Sequence, residues 1–315
     1  MIRRLPRKTL AVLVGAAALA LTACGGDGLT TPSPAGGTEA PQQSWSVVSE
    51  SINAAFATPD LAPGERRVAF ALSDQRGLIR FPVISVKSYF YANGFAGNDR
   101  GGPVEESTAR FYEFPLGVRG IHTTYLGLDR PGDWSVEASV PRADGSVETV
   151  EIRFEVKEKT HSVDIGEAPP GSATRTVADV ASLEELTTGS LHDPALYSVS
   201  LADALSSGRP TVVAFASPAF CTNAICGPQD EVVSELSTVY GEQVNFVHID
   251  LYENPDEIQG DLSRGVPSPV LAEWGLISQE WTFVFDGDGR ITARFENFAP
   301  KEELVPELEK VLGSS

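Results

Sequence analysis

The hydrophobic period of this chain changes once, across residues 159–195, and that change limits the folds open to it. Before it, apolar side chains recur at every second position: Val68, Phe70, Leu72; Trp134, Val136, Ala138, Val140; and Val150, Ile152, Phe154, Val156. A period of two puts them on one face of a strand. Val83–Tyr91 adds a β-branched and aromatic run, and turn-forming groups such as Asp74-Gln75-Arg76-Gly77 and Asp144-Gly145 separate the segments. Short strands at this spacing predict an all-β sandwich over residues 61–158. After the change the pattern is mixed. Residues 211–216 are continuously apolar, as in a strand buried on both faces. Residues 228–240 carry Val232, Leu236 and Val239 at helical spacing, and residues 244–251 read as a second strand. Ser200-Leu201-Ala202-Asp203 has the form of a helix cap, and Ser268-Pro269 opens a short helix through Trp274. Strands at 282–285 and 291–295 flank Asp286-Gly287-Asp288-Gly289, and Leu304, Leu308, Val311 and Leu312 mark a closing helix. This order predicts an α/β domain over residues 196–315. The intervening residues 159–195, with Pro169-Pro170-Gly171-Ser172, read as a linker holding a weak helix at 177–186.

The 315 residues allow about two domains. The net charge is -19, and residues 1–23 carry four basic and no acidic side chains, so the remainder has 20 basic against 43 acidic. A surface of that sign repels nucleic acid, which is excluded as a partner. Arg3, Arg4, Arg7 and Lys8 precede an apolar run over residues 10–21. That run is shorter than the ~20 residues a spanning helix needs and reads as an export signal. Leu21-Thr22-Ala23-Cys24 resembles a lipobox. The resemblance implies that residues 1–23 are removed and that Cys24 is lipidated. The protein is then held through its lipid on the outer face of a bacterial cell membrane. Residues 24–60 read as a Gly- and Pro-rich tether, with an ordered segment near Trp45 to Phe56.

Three cysteines occur, leaving Cys221 and Cys226 as a close pair. Extracytoplasmic compartments let disulfides form and persist, yet so short a loop stabilises little, which favours a chemical role for the pair. The run from Val212 to Ala216, followed by Ser217-Pro218-Ala219-Phe220-Cys221, and the hairpin-plus-helix ending resemble a thioredoxin-like domain. The nearest likeness is to membrane-anchored, extracytoplasmic thiol–disulfide oxidoreductases. It implies that Cys221 and Cys226 are catalytic, that Phe220 and Trp281 line a substrate-facing loop, and that the partners are extracytoplasmic protein thiols and disulfides. The chain departs from that family by placing four residues between the cysteines and by lacking proline across 278–283. Pro131-Gly132-Asp133-Trp134 resembles the lead into a strand of Ig-like modules, so the preceding sandwich is expected to be Ig-like.

Spacing adds a geometric argument. In a continuous helix, residues five apart have Cα atoms roughly 8.6 Å from one another, whereas a disulfide needs less than about 7 Å. Cys221 is therefore expected in a loop, with Cys226 at the start of the helix that Gly227-Pro228 opens. Free N–H groups there favour a thiolate, while Asp230 and Glu231 oppose it. Two other readings stay open. The pair could be a static brace. Alternatively, Cys221 and Cys226 with His248 or His192 could bind copper, as in Sco-type delivery proteins, or the chain could bind a partner without catalysis. No cofactor is required by the oxidoreductase reading.

Overall fold

The computed structural model describes residues 45–313 except 116, 118, 192 and 221–224. The expected export signal, Cys24, His192 and Cys221 lie outside the described residues.

The first half is all-β, with one helical turn. Its strands are β1 (Trp45–Val48), β2 (Asn53–Phe56), β3 (Gly64–Asp74), β4 (Gly77–Leu78), β5 (Val83–Tyr91), β6 (Glu105–Glu113), β7 (Gly120–Leu128), β8 (Gly132–Pro141) and β9 (Val147–Val156). The turn α1 (Gly94–Gly97) follows β5. All pairings are antiparallel and form one continuous path, β1-β9-β8-β5-β6-β7-β3-β2, with β4 on β3. The sheet folds over its own apolar face. Its end strands meet where Trp45 lies 6.3 Å from Phe56, which in turn stacks on Phe154 at 4.9 Å. The alternating residues of β8 and β9, with Val68, Phe70 and Leu72, fill the interior. Truncating a buried aromatic such as Trp134 to alanine would cost about 3–5 kcal/mol.

The second half contains α2 (Leu201–Ser206), β10 (Thr211–Phe215), α3 (Cys226–Tyr240), β11 (Asn245–Ile249), α4 (Pro255–Ile258), α5 (Pro269–Glu273), β12 (Trp281–Phe285), β13 (Ile291–Glu296) and α6 (Lys301–Gly313). The sheet order is β11-β10-β12-β13, with β10 parallel to β11 and the other pairs antiparallel. Every residue of β10 is buried, because helices cover both faces of the sheet. Val212 and Ala214 face α3 and α6, packing with Val233, Leu236, Leu304 and Leu308. Val213 and Phe215 face α2 and α5, packing with Leu201, Ala204 and Trp274. The Ser200 hydroxyl caps α2 by accepting from Asp203 N–H at 3.2 Å.

Residues 159–195 run across both halves with little regular structure. The expected helix at 177–186 is absent; only a 3₁₀ turn forms at Leu183–Glu185. The segment is nonetheless anchored, since Ser162, Leu186 and Thr187 are buried. Asp60 accepts hydrogen bonds from the His161 and Ser162 amides and from the Ser162 hydroxyl, and pairs with Arg294 at 2.9 Å.

The halves share a core. Val68 and Phe70 point into the β half, while Arg67 and Ala69, between and beside them, point toward α6. Ala69, Phe114 and Ile121 belong to the same buried cluster as Leu304 and Leu308, and Phe114 packs on Phe298 with ring centroids 4.4 Å apart. Within this seam the buried Arg67 guanidinium donates to Glu303 at 2.8 Å and to the carbonyls of Glu296 and Phe298. The other Glu303 oxygen accepts from the Thr123 hydroxyl. Removing one partner of such a pair leaves an uncompensated buried charge, at a cost of about 3–5 kcal/mol.

Candidate functional site

Cys226 is the first residue of α3, fully buried and disulfide-bonded. The helix begins two residues earlier than Pro228 because Cys226-Gly227 already adopt helical geometry, so Cys226 lies among the free N–H groups of the first turn. Its Sγ lies 4.0 Å from the carbonyl oxygen of Gln279, in the loop that leads into β12. The same loop is tied down by Glu280, whose carbonyl accepts from Asn297 N–H at 3.0 Å. The Gln229 amide oxygen accepts from Ala299 N–H at 2.8 Å and holds the loop before α6 against α3.

The substrate-facing assignment of Trp281 is corrected. Trp281 is the first residue of β12, fully buried, stacked on Phe283 at 5.7 Å and covered by the Arg294 guanidinium. Strand alternation turns it toward α5, away from the α3 face on which Cys226 lies, and the backbone at Gln279 is what approaches the sulfur. Phe220 is half-buried in the turn after β10 and meets Tyr252 edge-on at 6.1 Å.

His248 is corrected as a metal candidate. It lies in β11 with its ring buried; Nδ1 is 2.7 Å from the Tyr197 hydroxyl and Nε2 is 3.0 Å from the Ala216 carbonyl oxygen. Both nitrogens are engaged within the protein. Among the described residues no group of three or more His, Cys, Asp or Glu side chains could hold a metal ion.

The structure revises one group read from the sequence and adds others. Asp230, read from sequence as a first-turn carboxylate opposing the thiolate, is buried, and its Oδ1 lies 3.2 Å from His248 Nε2. Burial, reinforced by the charges of Asp250 and Glu231, raises its pKa well above the usual carboxylate range. Its negative charge is thus disfavoured, which weakens its opposition to a thiolate. Glu280 is likewise buried, with its pKa pushed well up by burial and then by Asp230. Burial pushes His248 down, which keeps the imidazole neutral, against the opposing charge of Asp250. Asp250 accepts from both the amide and the hydroxyl of Thr188, and the Thr188 hydroxyl is 3.0 Å from that of Ser217. The segment before α2 thereby clasps the turn that precedes residues 221–224.

No family model matches the chain, and no curated protein matches it. Among solved structures it is similar to a protein designated thiol:disulfide interchange protein DsbE from Chlorobium tepidum, at 16% identity and a TM-score of 0.33, covering 49% of this chain and 98% of that one. It is also similar to a protein designated a protein disulfide isomerase from Bacteroides thetaiotaomicron, at 16% identity and a TM-score of 0.33, covering 48% of this chain and 91% of that one. A thio-disulfide isomerase from Thermus thermophilus is 22% identical with a TM-score of 0.31, covering 47% of this chain and 97% of that one.

Proposed function

We propose that this chain is a lipid-anchored extracytoplasmic protein that exchanges thiols and disulfides through Cys221 and Cys226. In this reading the first half is an Ig-like module that presents the second half to partners. The observation that carries it is the position of Cys226: disulfide-bonded, first in a helix, and facing the backbone at Gln279. A helix N-terminus stabilises a thiolate, and a better-stabilised thiolate is a better leaving group. In the reduced form, the Cys221 thiolate attacks a substrate disulfide and releases one substrate sulfur as a thiolate. The Cys226 thiolate then attacks Cys221 in the mixed disulfide, closing the internal bond and releasing the second substrate sulfur. Two electrons pass from the pair to the substrate, and the reverse sequence oxidises a substrate dithiol. Because Cys226 is buried, this reading assigns the first attack to Cys221.

Equilibration of the folded protein with glutathione buffers tests this. Structural disulfides in secreted proteins lie below about -300 mV and exchanging ones lie above. A pair that titrates in the glutathione range, with Cys226→Ala trapping a mixed disulfide at Cys221, is the expected result. A disulfide that glutathione leaves intact, with no trapped adduct, would make it a static brace.

A further inference from the structure

The outer face of the β half is dry where a sheet surface is ordinarily wet. Trp134, Val136, Val150 and Ile152 of β8 and β9 point into the core, so the residues alternating with them point outward. On that outward side Tyr89 and Tyr91 of β5, Ser135 of β8 and Glu151 of β9 are nonetheless buried. Register sets Tyr89 beside Ser135 and, one row along, Glu137 beside Glu151. They are covered by the connection from β5 to β6, residues 92–104, which includes the single turn α1.

Between its ends the cover is held chiefly by two side chains. Phe95 meets Tyr91 edge-on at 4.9 Å, and its amide donates to Asp133 at 2.9 Å. Arg100 lies over the Tyr89 ring at 3.9 Å and forks between two strands, donating to Glu137 at 2.7 Å and to Glu151 at 3.3 Å. Asn98 adds a longer bond, accepting from Arg153 at 3.4 Å. Every residue from 92 to 104 is exposed or half-buried, so little apolar area holds the segment down. A Cβ on Gly102 would meet nothing within 4 Å. Packing therefore does not demand glycine there, and what glycine adds is backbone freedom at the exit of the cover.

Beneath the cover the sheet is rigid and built for a cation. Glu137 and Glu151 stand opposite each other on two interior strands, and like charges so placed repel. Arg153 balances one of them, pairing with the second Glu151 oxygen at 3.2 Å, and the neighbouring Lys87 is taken by Glu106. One negative charge is left, and Arg100 balances it. The Tyr91 and Ser135 hydroxyls donate to Glu151 and fix its carboxylate, while Tyr89 supplies the ring below. Two acceptors on separate strands above an aromatic face select a planar cation with several donors, which a guanidinium is and an ammonium is not. The socket belongs to the sheet, and the arginine that fills it belongs to the cover.

We propose that this face is a docking site for an arginine-bearing segment of a partner protein, and that residues 92–104 fill it until the partner arrives. The partner's arginine enters the fork between Glu137 and Glu151, an aromatic side chain beside it replaces Phe95 on Tyr91, and the cover swings out. The net charge of -19 favours a partner whose surface is basic. The site lies in the β half and stands apart from thiol exchange. Because the cover is tethered, it competes at an effective concentration on the order of millimolar. Removing its two anchors therefore strengthens partner binding, whereas a loop with only a structural role would show no such gain.

The test uses the full chain and, as probe, a capped synthetic peptide with the sequence of residues 92–104. Asp99 balances its one arginine, which removes general attraction to an acidic protein. Calorimetry follows its binding to the parent and to Phe95→Ala/Arg100→Ala. Binding is expected to be roughly tenfold or more tighter to the double variant than to the parent. Arg100→Lys in the peptide is expected to weaken it by about fivefold, and a scrambled peptide is expected not to bind. No binding by the folded double variant, or equal binding of the scrambled peptide, would overturn the proposal. A dimeric parent that Arg100→Ala makes monomeric would put a second copy in the site and overturn it too. If the double variant fails to fold, hydrogen exchange of the parent carries the test. The amides of Phe95 and Val104, bonded to Asp133 and the Ser88 carbonyl, are expected to exchange about a hundredfold faster than those of β8 through local opening. Exchange only with global unfolding would rule out a removable cover.

Discussion

Glu296 is the side chain on which the two halves and the loop near Cys226 converge. One carboxyl oxygen accepts from Asp60 N–H at 3.0 Å and the other from the Ser278 hydroxyl at 2.8 Å. Burial raises its pKa from 4.5 to about 7, against the hydrogen bond from Asp60. A carboxyl group raised on folding holds its proton longer in the native state than in the unfolded one. Its contribution to stability is complete below pH 4.5 and is lost as pH rises to about 7. Each pKa unit corresponds to about 1.4 kcal/mol, so the loss is on the order of 3 kcal/mol. Glu296→Gln should flatten urea-measured stability across that window, and a parent-like slope in the variant would exclude Glu296 as its source. At this scale the sequence shows which residues can carry chemistry but not which are dry. Cys226 was legible from spacing. The burial of Asp230 and Glu280 was not, because it depends on elements far apart in the chain that pack around them. Trp281 was misplaced because one residue of register decides which face of β12 a side chain takes.

Helix starts, strands with one buried face and short, continuously apolar strands were the legible elements. β8 and β9 lie where alternation places them, and β10, β12, β13 and α6 follow the predicted order within a residue or two at each end. β6 and β7 were missed for physical reasons. In β6, Glu105–Glu113, only Ala109 is fully covered, so its pattern is polar. In β7, Ile121 and Thr123 face α6 while Leu126 and Leu128 face the β core, so burial on both sides erases the alternation. The cap on α2 offers a test at this scale. Ser200→Ala removes the acceptor for Asp203 N–H, and loss of such a cap costs about 1 kcal/mol. Thermal unfolding of the variant should begin a few degrees lower, and an unchanged midpoint would mean that packing of Leu201 and Ala204 alone fixes the helix.

For the whole molecule, the proposed lipid anchor and the shared core set how the thiol-bearing half is displayed. No helix among the described residues is long and apolar enough to cross a membrane. On the proposed attachment through Cys24, Cys24→Ser is expected to move the protein from the membrane to the soluble fraction or to leave it unprocessed. A processed variant that still sediments with membranes would refute the anchor. The seam between the halves bears on the order of events during synthesis. Chains emerge from the N-terminus, and domains generally fold as they emerge. Ala69, Ile121 and Arg67 are made early, yet their partners Glu303, Leu304 and Leu308 belong to the last helix. Until that helix arrives, the β half carries an apolar strip with an unpaired arginine at its centre. That interval is when a holdase has most to protect, and a stop codon only a dozen residues early would make it permanent.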